Sequence, residues 1–168
     1  LARIDAPVIM AVNGTAGGGG FSMVLSGDYV IASERAKFVS AYTSSGLTPD
    51  GSSTYYLAKH VGLLRAKELM LTNRVLTAAE AQAWGLVNKV VPMGDVLKEA
   101  KGLARKIASK SAVAIGCAIA AIERGRHLSL DAAMDVEIEQ WRTLVDSEDM
   151  REGVGAFLEK RQPQFKDQ

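Results

Sequence analysis

The sequence predicts an α/β protein in which strands and helices alternate at first and helices alone follow. The residue usage changes near Val91, from glycine, serine and β-branched residues to alanine, leucine, lysine and glutamate. A short apolar run at residues 7–12 leads directly into a glycine-rich stretch, as a buried strand before a turn would. We therefore divide the chain into a mixed core over residues 1–92 and a helical tail over residues 93–168. Four apolar tail residues share one helical face at spacings i, i+4, i+7 and i+11: Met134, Ile138, Trp141 and Val145.

The overall composition excludes several classes of protein. The 168 residues are 48% hydrophobic and 23% charged, which is typical of a globular protein and not of a disordered one. The net charge of +1 argues against nucleic-acid binding driven by bulk electrostatics. A single cysteine, Cys117, can form neither an internal disulfide nor a cysteine-rich metal site, and it fits a reducing, cytoplasmic compartment. The longest apolar stretch, residues 112–122, is shorter than the roughly 20 residues that span a membrane.

Local patterns place the elements of the core. Apolar and β-branched runs predict strands over residues 7–12, 28–32, 37–40 and 87–91, and helices over residues 21–25, 52–60 and 64–71. Gly62 ends the first of the two neighbouring helices. Thr77 and Glu80 have the spacing of a capping box, and the helix that they open ends at Gly85. Three or four further helices follow in the tail.

The four consecutive glycines, Gly17 to Gly20, lie between a predicted strand and a predicted helix. Glycine lets the backbone approach a ligand closely, and a helix N-terminus presents free N–H groups that bind a phosphate or an oxyanion. A P-loop would need lysine after the last glycine, where Phe21 stands, and the dinucleotide motif would need glycine at Ser22. The alternative to a ligand site is a tight turn with close packing of the helix on the strand.

Few side chains outside the glycine run are candidates for a catalytic or metal-binding role. Asp50 follows a proline and precedes a predicted helix, and this pattern by itself favours a structural role in a turn or at a helix N-cap over a catalytic one. His60 and His127 have no acidic or cysteine partner at metal-binding spacing, so we predict no metal site. Cys117 lies in an alanine-rich segment and reads as a small buried hydrophobe. No serine lies in a hydrolase motif.

The order and spacing of several sequence blocks resemble the crotonase, or enoyl-CoA hydratase/isomerase, superfamily over nearly the whole chain. The blocks are P-V-I-M-A-V-N-G-T-A-G-G-G-G at residues 7–20, S-G-D-Y-V-I-A-S-E-R-A-K-F at 26–38, G-L-T-P-D-G-S-S-T at 46–54, the long stretch from A-K-E-L-M-L-T-N-R to N-K-V-V-P at 66–92, and D-M-R-E-G-V-G-A-F-L-E-K-R-Q-P-Q-F at 149–165. The resemblance implies the ββα spiral of the crotonase (ClpP-like) fold, here lacking about its first third, with a helical tail that serves trimer formation.

The resemblance also implies a substrate and a site. Family members bind acyl-CoA thioesters, need no other cofactor, and assemble as homotrimers or hexamers. They stabilise a thioester enolate with two backbone N–H groups, one of which falls at Gly19, flanked by Gly18 and Gly20. The second comes from an A-G-x-D-type segment that precedes the present sequence in the family. Phe157 and Lys160 match positions that contact the adenine and phosphates of CoA, although a core contact and a solvated helix face are the alternatives.

Three positions separate the reactions within the family. The two glutamates of the hydratases fall at Ser22 and Tyr42, and neither residue is a general base at neutral pH. A carboxylate stands instead at Asp50, where hydratases commonly have glycine. This pattern resembles the isomerases, including the ring-epoxide isomerases of phenylacetate breakdown. The resemblance therefore implies an isomerase in which Asp50 removes a proton beside the thioester and returns it two carbons away.

Three alternatives remain open at this point. The 4-chlorobenzoyl-CoA dehalogenases also have an aspartate at the position of Asp50, where it is the nucleophile, but they have a tryptophan at the position of Tyr42. An atypical hydratase is the second alternative, and a non-catalytic scaffold that trimerises through its tail is the third. Tyr42 either lines the acyl pocket or serves packing only. The sequence does not define the acyl group.

Overall fold

The strands of the core alternate between two sheets in this computed structural model, which describes Ile4 and residues 6–167. The first sheet is parallel and runs in the order β1 (Ile9–Val12), β3 (Tyr29–Ser33) and β6 (Lys89–Val91). In the second sheet β4 (Lys37–Val39) pairs in parallel with β2 (Thr15–Gly17) and antiparallel with β5 (Leu76–Thr77). Because each strand pair, β1–β2 and β3–β4, is followed by a helix, the chain winds as successive ββα units, which confirms the predicted fold class.

Helices connect the strand pairs and make up the tail. In the core they are α1 (Gly19–Leu25), α2 (Ser53–Thr72) and α3 (Ala78–Ala83). In the tail they are α4 (Val96–Ala108), α5 (Ala112–Gly125), α6 (Leu130–Leu144) and α7 (Glu148–Leu158). Gly62 has φ 80° and ψ 165°, which are not helical, so α2 is two helical stretches joined by a kink where the sequence predicted a helix end.

Large apolar side chains hold α1 and α2 against the second sheet. Phe21 of α1 and Phe38 of β4 are almost fully buried, and their ring centroids lie 5.8 Å apart. Leu57 and Leu69 of α2 and Leu76 of β5 belong to the same buried cluster. Burying one side chain of this size contributes about 1.5–3 kcal/mol to stability. The cluster therefore fixes the start of α1, and with it the glycine run, relative to the second sheet.

Most predicted elements are present with shifted ends. The capping box at Thr77 and Glu80 forms as predicted, and Gly85 follows the helix end with φ 79°. Strand β6 begins later than predicted because Asn88 takes over the pairing with β3. Its side-chain Oδ1 accepts a hydrogen bond from the Val30 N–H at 2.7 Å, and its own N–H donates to the Val30 carbonyl at 3.0 Å. Strand β2 was not predicted, since its sequence enters the glycine run.

The chain forms two compact units, residues 1–104 and 105–168, and the boundary between them in the sequence falls within α4. The division predicted between residues 92 and 93 falls just after the last strand, β6, and therefore precedes the boundary between residues 104 and 105. In the second unit α5 and α6 form an antiparallel pair, and Ser111, Ser129 and Ser147 cap the N-termini of α5, α6 and α7. None of the helices in the described part of the chain is long and apolar enough to cross a membrane. The trimer-forming role of the tail stays a prediction.

Candidate active site

The glycine run joins the end of β2 to the first turn of α1. Gly18 has φ 51°, a conformation that glycine adopts without strain, and its N–H donates to the Val39 carbonyl at 3.1 Å. Gly19 and Gly20 begin the helix, where the first N–H groups have no carbonyl partner within the helix. Apart from the adjacent residues and the backbone of the same helix, no heavy atom lies within 4 Å of the place where a Cβ on either residue would stand. A ligand can therefore approach this stretch of backbone closely.

Ser22, one turn further along α1, is almost fully buried with 1% of its surface exposed. Its Oγ lies 2.8 Å from the Tyr42 hydroxyl, 3.1 Å from the Asp50 backbone carbonyl and 3.3 Å from the Gly18 carbonyl. This one hydroxyl thus connects the glycine run to the two other segments that carry candidate residues.

Tyr42 and Asp50 are joined by a short hydrogen bond. The phenol of Tyr42, which is 6% exposed, donates to Oδ1 of Asp50 at 2.5 Å. Burial, and next the hydrogen bond to the Asp50 carboxylate, raises the pKa of Tyr42 above its ordinary value of 10.0. Tyr42 is therefore a neutral donor at physiological pH. Asp50 is exposed, and within the described residues no hydrogen bond reaches its Oδ2.

The turn that carries Asp50 is held by its own backbone and by the neighbouring helix. The Asp50 carbonyl accepts hydrogen bonds from the Ser53 N–H at 3.1 Å and the Ser53 hydroxyl at 2.9 Å. Gly51 has φ 56°, and a Cβ on it would lie only 2.9 Å from the Cβ of Ser22. The N-cap residue of α2 is Ser52, which has no side-chain cap bond. The carboxylate of Asp50 thus bonds Tyr42 instead of capping the helix.

The remaining candidates lie apart from this cluster along the chain. Phe157, near the end of α7, is 81% exposed, so it is not a core residue of this chain. Lys160 follows with φ 53°, and its N–H donates to the Phe157 carbonyl at 3.3 Å. His60 Nε2 lies 3.1 Å from the Leu25 carbonyl, and Cys117 is half-buried. In the part of the chain that the structure describes, no three histidine, cysteine or acidic residues are grouped so as to hold a metal ion.

The hydrogen-bonded cluster of Ser22, Tyr42 and Asp50 was only partly predictable. The sequence analysis singled out Asp50 and Tyr42 but predicted no bond between them, and it treated Ser22 only as the loss of a glutamate. The signal that could have joined them is the resemblance itself. The catalytic glutamates of the family's hydratases stand at the positions of Ser22 and Tyr42, and the carboxylate of its isomerases stands at the position of Asp50. Groups that act on the same part of a thioester have to lie close together, so the resemblance implies that these three positions are neighbours.

The winding of ββα units, with a glycine-started helix beside an aspartate, defines a crotonase-fold chain. The chain belongs to the enoyl-CoA hydratase/isomerase family, whose model matches residues 1–168, and this confirms the resemblance. It is 41% identical to the 1,2-epoxyphenylacetyl-CoA isomerase of Escherichia coli over 98% of this chain and 63% of that protein. It is 40% identical to the crotonyl-CoA hydratase of Syntrophomonas wolfei over 96% of this chain and 62% of that protein.

Solved structures agree with this assignment. An enoyl-CoA hydratase subunit from Geobacillus kaustophilus superposes with a TM-score of 0.96 at 35% identity, over 99% of this chain and 65% of that one. The chain thus spans somewhat less than two thirds of the length of these relatives. Because both isomerases and hydratases are among them, the comparisons define the family and leave the reaction open.

Proposed function

We propose that the protein is an acyl-CoA isomerase that moves a double bond through a thioester enolate, with Asp50 as the acid and base. The observation that carries the proposal is the state of the Asp50 carboxylate. One oxygen is fixed by the Tyr42 phenol, while the other has no hydrogen bond within the described residues. A carboxylate held in this way can take a proton from carbon and give it back without losing its orientation.

The proposed reaction needs one carboxylate and one oxyanion site. Asp50 Oδ2 removes a proton from C2 of a 3-enoyl thioester, and the C2–H electrons move into the carbonyl to form the enolate. The N–H of Gly19, with the neighbouring glycine backbone at Gly18 and Gly20, stabilises the negative oxygen. The same Oδ2 then delivers the proton to C4, and the double bond moves from C3–C4 to C2–C3. No cofactor takes part, since CoA belongs to the substrate.

The same cluster disfavours hydration. A hydratase of this family orients water with one glutamate and donates a proton with another, and those positions hold Ser22 and Tyr42. The raised pKa of Tyr42 keeps the phenol protonated at neutral pH, so it cannot act as a base towards water. Among the described residues Asp50 is the one carboxylate that is hydrogen-bonded to this pair of hydroxyls.

Binding and assembly extend the proposal beyond the cluster. We assign the CoA adenine and phosphates to Phe157 and Lys160, both exposed at the end of α7. We also assign Tyr42 to the lining of the acyl pocket, with the side of its ring that is nearest to Asp50 next to the acyl group. The protein is expected to assemble as a homotrimer or hexamer through its helical tail and to work in the cytoplasm, which suits a single free cysteine.

The test follows isomerisation of a 3-enoyl-CoA to the conjugated 2-enoyl thioester by ultraviolet absorbance, in the complete protein. Asp50→Asn should lower kcat by about 10²–10⁴-fold, which is the usual contribution of a general base. Asp146→Asn is the matched control, because Asp146 is an exposed aspartate in the turn between α6 and α7, and it should behave as wild type.

Two results would contradict the proposal. Isomerisation that survives in Asp50→Asn would show that the base lies elsewhere. A wild-type protein that leaves 3-enoyl-CoA unchanged would exclude the enoyl isomerase, and ring-epoxide thioesters and 4-chlorobenzoyl-CoA would then separate the other isomerase and the dehalogenase. Inactivity towards all of these substrates would favour the scaffold.

A further inference from the structure

The two hydroxyls behind Asp50 have a fixed direction of hydrogen bonding. An ionised carboxylate only accepts hydrogen bonds, so the hydrogen of the Tyr42 phenol must point to Asp50 Oδ1. The 2.8 Å contact between Ser22 and Tyr42 then has Ser22 as its donor, because the phenol has no second hydrogen. The carbonyls of Asp50 and Gly18, at 3.1 and 3.3 Å, are more distant acceptors of the same Ser22 hydrogen. The chain of bonds therefore runs from Ser22 to Tyr42 to Asp50 Oδ1.

This direction of hydrogen bonding makes the two oxygens of the Asp50 carboxylate differ in their ability to accept a proton. The Tyr42 oxygen already accepts from Ser22, and its hydrogen already occupies Oδ1. A proton that reaches Asp50 therefore binds Oδ2, which has no hydrogen bond within the described residues, and not Oδ1, which already accepts from Tyr42. Protonation at Oδ2 also leaves the Tyr42 bond intact, since the Oδ1 of a carboxylic acid is still an acceptor.

We propose that Ser22 and Tyr42 are positioning residues that keep the transferred proton on Oδ2 of Asp50, so that the hydrogen removed from the substrate is the one returned to it. The inference rests on the proposed isomerase function and deepens it. Burial supports it, because Ser22 and Tyr42 are only 1% and 6% exposed, so bulk water reaches little of either side chain. Charged hydrogen bonds of this kind are also short and strong.

The test uses 3-enoyl-CoA labelled with deuterium at C2 and measures kcat, KM and the fraction of label that appears at C4. Tyr42→Phe should lower kcat by about 10- to 100-fold, the usual value of a hydrogen bond to a charged group. It should leave KM unchanged and decrease the retained label, because the transferred proton can then bind Oδ1 instead of Oδ2 and be lost to solvent before it is returned to the substrate. Ser22→Ala should have a smaller effect of the same kind.

A double variant tests whether the residues act in series. If Ser22 works through Tyr42, adding Ser22→Ala to Tyr42→Phe should change neither kcat nor label retention any further. Tyr29→Phe and Ser33→Ala are the matched controls, since they remove a hydroxyl from strand β3 and should retain wild-type values. Additive losses would overturn the proposal, as would full label retention in Tyr42→Phe or a rise in KM with kcat intact.

A second readout does not depend on isomerase activity. The Tyr42 phenol can be titrated by the chemical shift of its ¹³C-labelled ring, assigned with Tyr42→Phe. Because the bond to Asp50 raises the Tyr42 pKa and the bond from Ser22 lowers it, Asp50→Asn should lower that pKa and Ser22→Ala should raise it. A Tyr42 pKa that neither variant moves would overturn the hydroxyl chain even if 3-enoyl-CoA proved not to be a substrate.

Discussion

Gly51 sets how closely the turn that carries Asp50 approaches helix α1. Its φ of 56° is a left-handed conformation, and the site where its Cβ would stand lies 2.9 Å from the Cβ of Ser22. A side chain there would cost the left-handed strain and would also push the turn away from Ser22 and Tyr42. The residue beside the carboxylate therefore contributes to the geometry of the site together with the two hydroxyls.

A pair of glycine substitutions separates these two effects. Gly51→Ala and Gly46→Ala both place an alanine in a left-handed conformation, which costs about 1–2 kcal/mol. At Gly46, with φ 70°, nothing lies within 4 Å of a Cβ. Urea unfolding should show Gly51→Ala as the less stable variant, and its kcat should decrease while that of Gly46→Ala should not. Equal stability and equal kcat would mean that the close approach is unimportant.

For a single residue such as Ser22, the sequence predicts the chemistry of the side chain but not its contacts. The identity of the residue excludes a carboxylate at once, and this is sufficient to argue against hydration. The three oxygens around its Oγ come from residues 18, 42 and 50, and no local pattern encodes their distances. Such contacts depend on how β4 and α2 pack against α1, which only the tertiary structure defines.

At the scale of the helices and strands, the sequence predicts those elements whose defining residues lie close together in the chain. The capping box of α3 and the glycine at its end are complete within nine residues, so the sequence predicts both. Strand β2 is three residues long and exists because β4 pairs with it in parallel, a non-local contact that its glycine-rich sequence does not signal. The sequence therefore predicts self-contained elements well and strands formed by pairing poorly.

The segment after α7 is attached to that helix by Glu152. Both guanidinium nitrogens Nη1 and Nη2 of Arg161 donate to its two carboxylate oxygens, at 2.6 and 2.8 Å, and the Gln164 N–H donates to Oε1 at 2.7 Å. Arg161, and next the Gln164 N–H, lowers the pKa of Glu152 from 4.5 to about 2. The carboxylate thus binds two parts of the terminal segment, and it binds them more strongly when it is ionised.

This arrangement predicts an acid-dependent loss of stability in the second unit. A carboxyl group whose pKa is depressed on folding stabilises the protein above its unfolded pKa, and the contribution is lost as pH falls through the folded pKa. Wild type should therefore exceed Glu152→Gln in free energy of unfolding at pH 6, and the difference should shrink between pH 4.5 and about 2. Glu137→Gln, which alters an exposed glutamate on α6, is the control. A difference that stays constant with pH would contradict this account.

At the scale of the whole molecule, helix α6 leaves its most apolar face uncovered in the described chain. Val136 is buried on one side of the helix, whereas Met134, Ile138 and Trp141, on the opposite side, are 50%, 45% and 59% exposed. Three of the four residues of the predicted pattern therefore form an exposed helical face, whereas the fourth, Val145, is the half-buried C-cap residue of α6. This face is available for contact with another molecule. Exposed patches of this kind commonly mark protein interfaces.

The proposed assembly can be tested on that face. Ile138→Glu places a charge among the exposed apolar side chains and should shift the mass measured by light scattering from a trimer or hexamer towards a monomer. Asp135→Lys changes a charge elsewhere on the same helix and should leave the mass unchanged. An assembly that survives Ile138→Glu intact would show that α6 does not contribute to the interface, and a monomeric wild type would refute the assembly altogether.

The central claim is that Asp50 moves a proton at the carbon beside the thioester. The most direct measurement is exchange of the C2 hydrogens of phenylacetyl-CoA with deuterated water, followed by NMR in the complete protein. This thioester has no double bond to move in its side chain, no halide to lose and no enoyl group to hydrate, so exchange reports only the base and the enolate site. Because Asp50 returns most protons to the carbon that lost them, the account predicts slow but cumulative exchange in wild type and its loss in Asp50→Asn, whereas equal exchange in both would contradict it.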